Sequence, residues 1–118
     1  MAKPTNCISV TEARSLQDNW NLTRAPEIQK LLGSMDARDF TFDLEELQEF
    51  IDYVRDESGK QGISTPGIRI YFAAYNSVES TQATVFLAPT KGIESDSDNN
   101  YDIDPLNTVI GGIPPNVY

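Results

Sequence analysis

The sequence predicts a two-layer α+β domain in which helices cover a small antiparallel sheet, and three observations predict it. In the N-terminal half, apolar residues recur at three- and four-residue steps, the period of an amphipathic helix. Between Gly67 and Tyr75 the period drops to two, as in a strand. A second β-rich run, Thr84-Val85-Phe86-Leu87, follows a polar turn, as in an antiparallel hairpin. The length, 118 residues, suits one domain spanning 1–118.

The elements follow in chain order. Residues 1–7 read as a loose arm. Ser9 and Glu12 have the spacing of a capping box, in which Ser9 caps the Glu12 amide and Glu12 reaches back. Val10, Ala13, Leu16 and Trp20 then mark one apolar face of a helix over about 10–22. Ala25-Pro26 interrupts it, because proline disfavours helical geometry in the residue before it. Pro26 suits the first position of a short second helix with Ile28, Leu31 and Leu32 inward, and Gly33 stops it. Phe40-Thr41-Phe42 has the composition of a short strand. Asp43 and Glu46 repeat the capping-box spacing and open a long helix, about 44–60. Its apolar stripe is Leu44, Leu47, Phe50, Ile51 and Val54, and Gly62 ends it.

Strands are expected near 67–75 and 82–88, the second ended by Pro89. Ile68, Ile70 and Phe72 point one way, Arg69, Tyr71 and Ala73 the other. Large apolar groups on both faces place this hairpin centrally in its sheet, extended by 40–42 or 108–110. The long helix and the N-terminal helix are expected to cover one face. The predicted core is Leu16, Trp20, Ile28, Leu31, Leu47, Ile51, Val54, Ile68, Ile70, Phe72, Val85 and Leu87. Residues 91–118 read as an acidic loop and a Gly/Pro-rich tail, looser than the core.

Nine bases against eighteen acids give a net charge of −9, which repels a phosphate backbone and an anionic membrane surface. Nucleic acid and membrane are therefore not expected partners, and no apolar run approaches the ~20 residues that span a bilayer. Basic proteins and metal cations fit the charge. The single cysteine, Cys7, cannot form an internal disulfide, and no apolar leader follows Met1. A cytoplasmic location is the expectation, with signal-independent export left open. Histidine is absent, which removes Ser-His-Asp and Cys-His catalysis and imidazole-bound zinc. No glycine-rich phosphate loop follows a strand. The expected activity is non-catalytic.

Two segments concentrate the acid. On the long helix, Glu45, Glu49, Asp52 and Asp56 fall within ~60° of one another, with Tyr53 beside them. Like charges four residues apart destabilise a helix slightly, so this ridge reads either as a solvated face or as a docking surface for a basic protein. The second segment is 96–104, where Asp96, Asp98, Asn100, Asp102 and Asp104 alternate as the oxygen ligands of a Ca²⁺ loop do. Tyr101 stands where such loops place glycine, and Asn107 where they place a bidentate glutamate. These departures favour a solvated acidic loop over a cation site, and no other cofactor is implied. Arg69, beside Tyr71 and Tyr75, reads as a partner for a helix carboxylate or as a cation lying over the sheet edge.

Gly67-Ile68-Arg69-Ile70-Tyr71-Phe72, Ala74-Tyr75, Thr84-Val85-Phe86 and Pro89-Thr90 together resemble a group of small acidic bacterial proteins of uncharacterised activity. Asp104-Pro105-Leu106-Asn107 and Gly111-Gly112-Ile113-Pro114-Pro115 resemble that group's ending. The resemblance implies the same fold and carries over no functional residue. The function expected is a protein-interaction module, an adaptor or immunity-type inhibitor that binds a basic partner. The alternatives are a cation-binding module at 96–104 and, behind both, a small enzyme.

Overall fold

The structure is a computed structural model, and it describes residues 1–107, 111–112, 115 and 117–118. Three helices precede a small antiparallel sheet: α1 (Val10–Thr23), α2 (Ala25–Leu32), α3 (Leu44–Lys60), β1 (Gly67–Ala74), β2 (Ala83–Thr90) and β3 (Leu106–Asn107). This is the two-layer α+β arrangement expected from the sequence. Among the described residues the third strand is Leu106–Asn107, and Phe40 forms an isolated bridge with Gly111. The strand expected at 108–110 lies outside the described residues.

Local chemistry sets the helix ends. Ser9 Oγ accepts from the Glu12 amide at 3.0 Å and donates to Glu12 Oε1 at 3.2 Å. Glu12 thus reaches the Ser9 hydroxyl rather than its amide. Asp43 caps the amide of Glu45, at 3.2 Å, one residue earlier than a capping box would. α3 stops in a Schellman motif: Ile63 N–H donates to Ser58 O and Gly62 N–H to Gly59 O. That turn holds Gly62 at φ +75°, where a side chain would be strained.

The sheet order is β1-β2-β3, with Ile70 opposite Leu87 and Leu87 opposite Leu106. Directly opposed residues share a face. One face therefore carries Ile68, Ile70 and Phe72 beside Pro89, Leu87 and Val85. The other carries Arg69, Tyr71 and Ala73 beside Ala88, Phe86 and Thr84. Phe50 and Val54, one helical turn apart on α3, pack with Leu87 and Ile103, flanked by Phe42, Leu47 and Leu106. Burying a residue such as Phe50 or Ile103 contributes roughly 1.5–3 kcal/mol.

This placement corrects four expectations. The hairpin is not central: among the described residues β1 is an edge strand, and α3 covers the β2–β3 half of the sheet. Leu16, Trp20, Leu31, Ile68, Ile70 and Phe72, all expected in the core, are exposed. α1 contributes no buried residue and meets the sheet through the Trp20–Phe72 ring pair, centroids 6.4 Å apart. Nor does β2 end at Pro89, which is buried within it. Its carbonyl accepts from Asn100 N–H, so the amide hydrogen that proline lacks would also face that side, beyond the end of β3.

The fourth correction concerns residues 91–107, which pack rather than trail. Asn99 bridges Thr90, Lys91 N–H donates to Asp98 O, and Ile103 is only 2% exposed. The segment turns back along β2, and a single isoleucine anchors it in the core.

Candidate functional site

The acidic ridge is built by α3. The inner face of this helix is fixed by Phe50 and Val54, so its outer face is held rigidly toward solvent. Glu45, Glu49 and Tyr53 follow one another at four-residue steps and form a line along that face. All three are exposed, Tyr53 at 46%. Neither Glu45 nor Glu49 has a cation within ion-pair distance among the described residues. Asp52 and Asp56 are also exposed but have company. Gln48 donates to Asp52 at 3.0 Å, and Arg55 approaches Asp52 at 3.8 Å. Lys60 lies 3.3 Å from Asp56 and 3.2 Å from Glu57. Glu57 first and Asp56 second hold the Lys60 ammonium above its ordinary pKa. Such exposed pairs contribute little to stability. α3 thus keeps six acids against two bases, with the uncompensated charge toward its N-terminal half.

The 96–104 run is arranged differently from a ligand cage. Asp96, Asp98, Asp102 and Asp104 are exposed, whereas Asn100 is buried at 2%. Asn100 Nδ2 donates to Gln61 Oε1 at 2.8 Å, and its Oδ1 accepts from Asp102 N–H at 3.2 Å. Its side chain joins the loop to the end of α3. Among the described residues, no three acidic or cysteine side chains converge as they would to hold a metal ion.

Arg69 organises this loop from the strand. It does not meet a helix carboxylate. Its Nη1 donates to Asn99 Oδ1 at 2.7 Å, and its Nη2 faces the carbonyls of Ser97, Ser95 and Glu94 at 3.0, 3.1 and 3.4 Å. Asn99 in turn donates to the Tyr71 hydroxyl at 2.7 Å, and Tyr71 stacks on Phe86. The Asn99 hydrogen bond and then that of Arg69 hold the Tyr71 phenol below its ordinary pKa. Tyr75 pairs instead with Asn107, at 3.0 Å. The sequence shows Arg69 and Asn99 but not that they meet, because the contact spans thirty residues.

No helix among the described residues is long and apolar enough to cross a membrane. Comparison with protein-family models, with curated proteins and with solved structures finds no match.

Proposed function

We propose that this chain is a non-catalytic protein-interaction module, of the adaptor or immunity-inhibitor kind, that binds a basic partner through the outer face of α3. The observation that carries the reading is the line Glu45–Glu49–Tyr53: two carboxylates without a cation, one turn apart, ending at a half-exposed tyrosine. Like charges at this spacing repel slightly, while Glu45, in the first turn of α3, is favoured by the helix dipole, which leaves Glu49 as the carboxylate without a local reason. An arginine- or lysine-rich surface would supply the missing cations, with Tyr53 as an aromatic anchor. Asp52 and Asp56 extend the ridge, and partner cations would compete there with Arg55 and Lys60. The net charge of −9 would steer such a partner in and speed association.

The test is co-purification of the native chain from its source cells, with the partner identified, beside the double variant Glu49→Lys/Asp52→Lys. The expected result is a basic protein retained by the wild type and lost by the variant. Equal retention by both, or a partner without a basic surface, removes the ridge as the binding site.

A further inference from the structure

We infer that the uncovered side of β1, with the apolar faces of α1 and α2 beside it, is the interface through which two copies of this chain pair. The surface is independent of the α3 ridge. α3 packs over the β2–β3 half of the sheet and leaves Ile70 65% and Phe72 85% exposed on the other half. Leu16, Trp20, Leu31 and Phe72 line one groove of about 680 Å³ between the N-terminal helices and the sheet, and Ile70 and Ile68 continue from Phe72 along the strand. At their exposures these six residues present on the order of 700 Å², above the ~300–600 Å² patch usual on a monomer. The open groove also fits the radius of gyration, 16.6 Å, against ~13–14 Å for a compact chain of this length.

The charge map selects the occupant. Residues 1–40 hold five bases and five acids, and 67–90 hold only Arg69 and Glu79. The segments that build the apolar side are therefore neutral, and the entire charge of −9 lies in 41–66 and 91–118. A basic partner gains nothing from a neutral face. A second copy can meet it there without apposing the acidic ridges, since those stand over the far half of the sheet.

The strand itself favours a two-fold partner. β1 has no proline, and its one charged residue, Arg69, is turned to the opposite face and bound to the 94–99 loop. Outside its ladder with β2, no backbone group of β1 bonds to another described residue. The edge lacks the usual guards against pairing. An antiparallel β1–β1 contact about an axis at Ile70 sets Ile68 of each copy against Phe72 of the other, and the apolar side becomes continuous.

Sedimentation equilibrium on the full chain, over a wide concentration range, tests this. The expected species is a dimer of twice 13.1 kDa, with the β1 amides protected in hydrogen exchange. Phe72→Glu and, separately, Ile70→Lys should each weaken the dimer about thirtyfold or more and expose those amides, with circular dichroism unchanged. Two substitutions at exposed positions guard against one misfolding. Glu49→Lys/Asp52→Lys should leave the mass unchanged, so failure of the α3 reading and failure of this one are distinguishable. A wild type that stays at 13.1 kDa overturns the proposal, as does a dimer indifferent to both β1 variants. A monomer whose partner is lost on Phe72→Glu also overturns it and gives the face to that partner.

Discussion

Removing the Arg69 side chain should release the 91–105 loop from the sheet. Four contacts are at stake: Asn99 Oδ1 at 2.7 Å and three backbone carbonyls between 3.0 and 3.4 Å. The three carbonyls share one nitrogen with two hydrogens, so they do not count separately. The contacts to Asn99 and Ser97 are part-buried, and those to Ser95 and Glu94 are exposed. At ~1.5 kcal/mol for each part-buried, charge-assisted bond, Arg69→Ala should cost about 3 kcal/mol. Arg69→Lys should recover only part, because a point charge cannot reach Asn99 and the carbonyls together. Urea denaturation followed by circular dichroism measures both, and limited proteolysis should show new cleavage between residues 91 and 99 in the alanine variant. A loss below about 0.5 kcal/mol, with unchanged proteolysis, would refute the view that Arg69 clamps the loop.

Three further outcomes follow from the packing and the charges. Ile103→Ala should destabilise by ~2–5 kcal/mol in the same denaturation assay, whereas Leu16→Ala, at a 61% exposed position, should cost under about 1 kcal/mol in the monomer. Ser58 Oγ is fully buried and has no hydrogen-bond partner among the described residues, so Ser58→Ala should be neutral or stabilise by up to ~1 kcal/mol in a thermal melt. Tyr71 should ionise below the ordinary ~10 in an ultraviolet titration, and Asn99→Ala should move it back up. A pKa lowered by folding adds stability only as pH rises through the folded-state value, fully so above the unfolded one.

Local features were legible in the sequence, and long-range ones were not. The Ser9 cap, the Gly62 stop and the Phe50–Val54 stripe depend on residues within one or two turns, and each forms nearly as its spacing predicts. The alternation along β1 was equally clear, but alternation does not say which side is covered. That depends on where α3 comes to rest, and it rests over β2 and β3. Residues 91–107 were misjudged for a related reason. Their polar composition describes the exposed Asp96, Asp98, Asp102 and Asp104, while Asn100 and Ile103 do the packing. The signal was there in one apolar residue within an acidic run, without a period to mark it. The ridge residues Glu45, Glu49 and Tyr53 were legible because an i, i+4 line on a helix is a local property. The pairs Asp52–Arg55 and Asp56–Lys60, three and four residues apart, are local in the same sense.

The central claim is that α3 presents uncompensated negative charge to a basic partner. The affinity of the purified chain for its recovered partner, measured calorimetrically at rising salt, tests it most directly. Affinity should fall steadily with ionic strength, since exposed charges are screened over a Debye length of ~8–10 Å. Glu45→Gln/Glu49→Gln should lower the affinity at low salt and flatten that dependence. An affinity insensitive to salt, and unchanged by the double glutamine variant, would contradict the account.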